Sequence, residues 1–104
     1  MKIKVYQIDR EKNEQIAHYK MFSSMRLLKS MGLEFDPNDY KVVFDGELNV
    51  TDAEDVYRLL NIGQKPQGYK GHSLSTSDVV VMNGKALFCD SFGFIDVTDK
   101  WGNK

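Results

Sequence analysis

The sequence has little cysteine, no long apolar run and no large excess of charge of one sign. Cys89 is the only cysteine among 104 residues, so an internal disulfide is impossible, which fits a reducing compartment. No segment approaches the ~20 apolar residues that a membrane-spanning helix needs, and the first residues lack the apolar stretch of a signal sequence. We therefore expect a cytoplasmic protein without a membrane partner.

The residues that are present suit one globular domain. Hydrophobic residues make up 41% of the chain and charged residues 28%, a composition too apolar for a disordered protein. A chain of this length can bury a core unaided, and no linker, repeat or low-complexity tract divides it. We predict a single domain over residues 1–104.

The net charge of −1 hides an acidic block at 34–55. This segment holds one basic residue and eight acidic ones: Glu34, Asp36, Asp39, Asp45, Glu47, Asp52, Glu54 and Asp55. Loops and the first turn of a helix would explain some of them, because the helix dipole favours acids there. The alternative is an acidic face that binds a basic protein partner. The sequence shows no basic footprint, which disfavours direct nucleic-acid binding.

The first half of the chain predicts a mixture of strands and a helix. Residues 2–8 indicate an opening strand with one polar face, and 16–19 suggest a second extended piece that pairs with it as a hairpin. Residues 23–31 have a serine cap and apolar residues at helical spacing, and Gly32 suits a left-handed cap at the helix end. Another strand is expected over 40–48.

A second helix is predicted after residue 50. Thr51 and Glu54 have the spacing of a capping box, in which each side chain bonds the backbone amide of the other residue. Apolar residues within 56–60 supply a buried stripe, and Gly63 ends the helix.

The last third predicts a hairpin followed by a bend. Residues 79–82 and 86–89 are apolar runs joined by Asn83-Gly84, the pair that best tolerates a two-residue type I′ turn. A short strand over 94–98 follows a bend at Gly93. The predicted fold class is α+β, with two short helices packed on a mostly antiparallel sheet.

Catalytic and metal chemistry find little support in the residue spacing. Cys89 and His72 are candidates for a small enzyme, but Cys89 lies in an apolar run, where cysteine behaves as a small hydrophobe. His18, His72 and Cys89 show none of the spacings that bring metal ligands together. We predict no enzyme activity, no metal and no cofactor, and keep a Cys89/His72 enzyme as an alternative.

Two further patterns have competing interpretations. Phe92-Gly93-Phe94 partly matches an RNA-stacking strand, but Asp90 replaces its basic residue, so we favour core aromatics around a bend over a nucleic-acid-binding module. The serines of 73–77 with Asp78 are expected to cap backbone groups at the hairpin entry. A polar recognition surface of Ser75, Ser77 and Asp78 is the alternative.

Two motifs stand out in the last third, GHSLSTSDVV at 71–80 and FCDSFGF at 88–94. They resemble the YodL-like domain family of Gram-positive bacteria, their phages and conjugative elements, and residues 2–8 and 55–58 show a looser likeness to it. The motif positions, mainly structural in our interpretation, are Gly71, Ser73, Ser75, Ser77, Asp78, Cys89, Asp90, Ser91, Phe92, Gly93 and Phe94.

The resemblance implies an accessory function without known catalysis. Such domains have no established enzymatic activity, and they occur in mobile-element proteins, alone or beside anti-restriction and replication functions. The hypothesis that follows is an anti-defence protein of the anti-CRISPR type, whose acidic segment 34–55 occupies a basic groove on a Cas or other host nuclease.

Overall fold

The computed structural model describes residues 1–102, which form five β-strands and four α-helices. In chain order the elements are β1 (Lys2–Ile8), α1 (Glu14–Lys20), α2 (Met25–Ser30), a 3-10 turn (Pro37–Asp39), β2 (Tyr40–Glu47), α3 (Ala53–Ile62), β3 (Val79–Met82), β4 (Lys85–Cys89), β5 (Phe94–Asp96) and α4 (Thr98–Trp101). The α+β class is thus confirmed, with four helices in the described chain instead of two. None of these helices is long and apolar enough to cross a membrane.

The five strands form one antiparallel sheet in the order β2-β1-β3-β4-β5. The opening strand β1 is therefore internal and pairs with both β2 and β3. A bulge interrupts the β1–β2 register between Val5 and Tyr6, opposite Val43. The Val43 carbonyl accepts a hydrogen bond from the Lys70 amide (2.8 Å), so the loop after α3 covers this part of the outer β2 edge.

Hydrophobic cores lie on both faces of the sheet. The first core packs α3 on Ile3 and Val5 of β1, and the second packs α1, α2 and α4 on Tyr6 and Ile8 of the same strand. The expectation that β1 has one polar face holds only at the start of the strand, where Lys2 is exposed and Lys4 half-exposed. From Val5 to Ile8 both faces are covered, because the sheet is the middle layer of three.

The proposed second strand at 16–19 is also wrong, because these residues lie in α1. The Asn13 side chain caps this helix by accepting from the Ile16 amide (3.0 Å), and β2 and β3 occupy both edges of β1. The helix 23–31 is confirmed in substance: Ser24 caps α2, and Gly32 has φ +70° after its end.

The capping box of α3 is displaced by one residue from the predicted position. Asp52 is the N-cap and accepts from the Asp55 amide (2.8 Å). The residue that reaches back is Asp55, whose carboxylate accepts from the Thr51 amide (3.0 Å) and hydroxyl (2.6 Å). Glu54 is exposed and has no part in the cap.

The C-terminal hairpin is confirmed. Asn83 and Gly84 have φ values of 51° and 72°, as a type I′ turn requires. Gly93 has φ +80° before β5. The last strand ends at Asp96, two residues before its predicted end, because Thr98 begins α4.

Candidate functional site

The serine-rich motif folds around a single buried amide side chain, that of Gln7. Gln7 is 2% exposed although it lies in a β-strand between two apolar cores. Its Nε2 donates to Asp78 Oδ2 (3.1 Å) and to the His72 carbonyl (3.0 Å), and its Oε1 accepts from the His72 amide (3.2 Å). We call Gln7, Tyr69, His72, Ser75 and Asp78 the Gln7 cluster. It joins β1 to residues 69–78.

Asp78 is the acidic member of the Gln7 cluster and is 1% exposed. Its carboxylate also accepts from the Ser75 amide (2.8 Å). Burial raises the pKa of Asp78 to about 7, although the bonds from Ser75 and Gln7 act in the opposite direction. A buried carboxyl without a cationic partner favours its neutral form, so Asp78 changes charge near neutral pH.

Gly71 is required by the close approach of the loop to Gln7. A Cβ at this position would lie 2.2 Å from Gln7 Oε1 and 3.0 Å from Val43 Cβ. Any larger residue would therefore push the loop off the Gln7 cluster. This gives the glycine of the motif a steric role.

Ser77 connects the motif to two other parts of the chain. Its backbone has φ +86°, which costs a residue other than glycine about 1–2 kcal/mol. Its carbonyl accepts from the Tyr40 hydroxyl (2.5 Å), and its Oγ accepts from the Phe22 amide (3.1 Å). Of the other motif serines, Ser75 donates from its hydroxyl to the Ser73 carbonyl (3.0 Å).

The geometry does not assemble a nucleophile from Cys89 and His72. Cys89 is 4% exposed, and burial, assisted by Asp78 and other acids, raises the pKa of its thiol to about 12. Within the described chain no hydrogen bond links the thiol to His72. His72 Nδ1 instead lies 2.7 Å from the Ser73 carbonyl. Across residues 1–102, no group of three or more His, Cys, Asp or Glu side chains is placed to hold a metal.

The loop between β4 and β5, residues 90–93, presents an aromatic side chain to solvent. We call this loop the hairpin tip. Phe92 is 97% exposed, so the interpretation of Phe92 as a core aromatic is wrong, whereas Phe94 does pack against the first core. This difference could not be predicted from the sequence, because both residues flank the same glycine.

Asp90 fixes the hairpin tip in place. Its amide donates to the Gly93 carbonyl (2.9 Å), which closes the loop, and its Oδ1 accepts from the Met25 amide at the start of α2 (3.0 Å). Ser91 is exposed beside Phe92. The aromatic ring therefore projects from a backbone that is held at both ends.

The eight acidic residues of 34–55 are not gathered on one continuous face. Asp39 and Glu47 lie beside opposite ends of β2, a strand of 8 residues that spans about 24 Å at ~3.4 Å per residue. Asp39 pairs with the largely buried Lys20 (2.6 Å), and Asp36 caps the 3-10 turn. The members that are exposed on the surface are Glu34, Asp45, Glu47, Asp52 and Glu54.

Glu54 is the acidic residue that lies beside the hairpin tip. Its Oε1 is 3.9 Å from the point where a Cβ on Gly93 would stand. The tip thus combines an exposed phenyl ring with the carboxylates of Asp90 and Glu54. This arrangement places the acidic first turn of α3 next to the second motif of the sequence.

Comparison with known proteins identifies the family. The model of the YodL-like domain matches residues 2–99, which is nearly the whole chain. The protein therefore belongs to the YodL-like domain family. Searches of curated proteins and of solved structures each found no match.

Proposed function

We propose that this YodL-like protein acts by binding another protein through its hairpin tip. In this proposal it is a small cytoplasmic accessory protein of a phage or other mobile element and inhibits a host defence nuclease, as an anti-CRISPR does. The exposure of Phe92 is the observation that supports binding. The occurrence of related domains beside anti-restriction functions supports the choice of partner.

A fully exposed phenylalanine on a fixed loop suits a binding anchor. Buried aromatic side chains contribute much of the energy of protein interfaces, and a loop already held in its bound form loses little entropy on binding. Asp90 holds the tip through its bonds to Gly93 and Met25. Phe92 makes no contribution to either core, so folding does not account for the residue.

The charge around Phe92 defines the chemistry of the partner surface. Asp90 belongs to the hairpin tip and Glu54 lies beside its Gly93. Tyr57, 41% exposed, follows Glu54 one turn later on the same face of α3. Such a surface complements an apolar pocket surrounded by Lys and Arg. The nucleic-acid groove of a nuclease carries such basic residues, and carboxylates there would take the place of phosphates.

The two rival functions receive less support from the same residues. Direct nucleic-acid binding at the tip would place phosphates against Asp90 and Glu54. An enzyme that uses Cys89 would need a thiolate, and the raised pKa of this thiol opposes ionisation. We therefore propose a protein without enzymatic activity.

The test is the effect of single substitutions at the tip on a candidate host nuclease. Partners are captured from a host lysate, and the affinity and inhibition of a purified nuclease are measured for the wild type, Phe92→Ala and Glu54→Lys. We expect Phe92→Ala to weaken binding by at least 30-fold, as loss of a ~2 kcal/mol anchor does. Glu54→Lys should weaken binding to the nuclease more at low salt than at high salt, because salt screens the repulsion between the new lysine and the basic partner.

Ile62→Ala is the matched control, since Ile62 is 81% exposed at the far end of α3. Glu54 is preferred to Asp52 or Asp55 for charge reversal because it is not part of the helix cap. Unchanged inhibition by Phe92→Ala would contradict the proposed surface. Cleavage or modification of a substrate by the isolated protein would contradict the non-enzymatic role.

A further inference from the structure

A second concave site lies on the other side of the motif, between α1 and residue 72. The hollow has a volume of about 500 Å³, within the range of small-ligand sites. It shares no residue with the hairpin tip. We call it the α1 cleft, and its lining residues are Arg10, Glu14, Ala17, His18, Met21, Phe22 and His72.

Phe22 stands at the α1 cleft in a backbone conformation that favours glycine. Its φ is +64° and its side chain is 58% exposed, so core packing does not account for a phenylalanine there. The Ser77 hydroxyl, from the other strained residue at this place, holds the Phe22 amide (3.1 Å). Strained residues that support one another in this way are typical of functional sites.

His72 forms the wall of the α1 cleft opposite α1 and is held in place by the Gln7 cluster. Its amide donates to Gln7 Oε1, and its carbonyl accepts from Gln7 Nε2 and the Tyr69 hydroxyl (2.7 Å). Nδ1 lies 2.7 Å from the Ser73 carbonyl and 3.3 Å from Gln7 Nε2, whereas Nε2 makes no hydrogen bond with any described residue. The centroids of the His72 and Phe22 rings are 5.5 Å apart, and the two ring planes are inclined at 53°.

Arg10 is the group at the α1 cleft that can bind an anion. Arg10 is exposed and makes no ion pair with any described residue, so its guanidinium remains available. Both histidines of the chain line the same hollow. The one opposing group is Glu14, in the first turn of α1.

We propose that the α1 cleft binds a small aromatic anion of the size and chemistry of a nucleoside monophosphate. Its ring would stack on Phe22 beside His72, and its phosphate would meet Arg10 and His18. Stacking and a guanidinium contact are the two elements that such a ligand requires. This site is independent of the protein-binding surface at the hairpin tip.

Calorimetric titration of the whole protein with adenosine monophosphate, adenosine and inorganic phosphate tests the proposal. We expect the monophosphate to bind at least tenfold more tightly than adenosine, because a charge-assisted hydrogen bond is lost without the phosphate. Inorganic phosphate alone should bind more weakly still, since it cannot stack. No binding of the monophosphate at millimolar concentration would overturn the site.

Single substitutions distinguish specific binding at the α1 cleft from nonspecific binding to the protein surface. Phe22→Ala should lose at least tenfold in affinity and Phe22→Trp should retain it. Arg10→Gln should lower the affinity for adenosine monophosphate to the level of the affinity for adenosine. Glu14→Gln should raise the affinity for adenosine monophosphate severalfold. Arg10 and Glu14 are exposed, so their variants report on binding even where a Phe22 variant fails to fold.

Phe92→Ala is the control and should bind the monophosphate as the wild type does. Equal affinities for Arg10→Gln and the wild type would overturn the assignment of the anion contact. Tight binding of a single-stranded oligonucleotide without binding of the monophosphate would replace the small ligand by nucleic acid and overturn the proposal.

Discussion

Gln7 and Asp78 show how one buried polar pair organises distant parts of the chain. The two residues are 71 positions apart, and each is at most 2% exposed. A carboxyl buried next to an amide has no cation to balance its charge, so the energetic cost of the pair depends on pH. That dependence offers a direct measurement of the cluster.

We predict that the free energy of unfolding falls as pH rises from about 4 to about 7, and that Asp78→Asn removes this fall. The pKa of Asp78 is raised to about 7 in the folded protein and is near 4 when unfolded. Between these values the folded state binds one proton more than the unfolded state, so raising the pH costs up to about 4 kcal/mol. Urea unfolding of the wild type and of Asp78→Asn at pH 4.5–7.5 measures this change in the free energy of unfolding.

Asparagine at position 78 can keep the bonds from Ser75 and Gln7, because its carbonyl oxygen accepts both. Half-exposed Asp55 and exposed Asp96, whose pKa values are lowered by hydrogen bonds from Thr51 and Thr98, lose their stabilising charge only at lower pH. Parallel stability profiles for the wild type and Asp78→Asn would show that Asp78 is ionised in the folded state throughout.

At the scale of elements, the sequence around the N-terminus of α3 predicts that a helix starts there but not which residue is its N-cap. The threonine, two aspartates and glutamate at 51–55 indicate a helix start, but two registers fit the same letters. Thr51 with Glu54 and Asp52 with Asp55 both satisfy the spacing of a capping box. The structure selects the second, which also buries Ala53 and Val56.

We predict that Asp52→Ala lowers the free energy of unfolding by about 1 kcal/mol through loss of the N-cap. Asp55→Ala should also lower the urea midpoint, because the Thr51 amide loses its acceptor. Glu54→Ala is the control and should leave the midpoint unchanged. A larger loss for Glu54→Ala than for Asp52→Ala would restore the register predicted from the sequence.

Other elements show the same division between local and distant information. The β3–β4 hairpin could be predicted because Asn83-Gly84 specifies its own turn. The α1 helix could not, since apolar residues at 16–19 fit a strand and only Asn13 marks a helix start. The Gln7 cluster could not be predicted because nothing near Gln7 in sequence identifies its partners. The exposure of Phe92 depends on where α2 and α3 begin.

At the scale of the whole molecule, two cores share a single sheet. Leu60 of α3 belongs to the first core, and Trp101 of α4, the single tryptophan, belongs to the second. All five strands of the described sheet contribute side chains to both. Loss of packing on one face should therefore weaken the other.

We predict that Leu60→Ala lowers the free energy of unfolding by about 2–4 kcal/mol and shifts both cores together. Circular dichroism follows the whole sheet, while Trp101 fluorescence follows the second core, on the opposite face from Leu60. The two urea transitions should coincide in the wild type and in the variant. A fluorescence midpoint that stays at the wild-type value while the dichroism midpoint falls would mean that the cores unfold separately.

The internal position of β1 determines the order in which the protein can be completed during synthesis. β1 is translated before both of its neighbours, and the second of them, β3, begins only at Val79. Until β3 is made, the backbone amides and carbonyls on one edge of β1 have no strand to pair with, and the Gln7 side chain lacks its bond to Asp78. A nascent chain is thus exposed to wrong strand pairing between the synthesis of β1 and that of β3, and ribosome-bound chaperones would have their greatest effect in that interval.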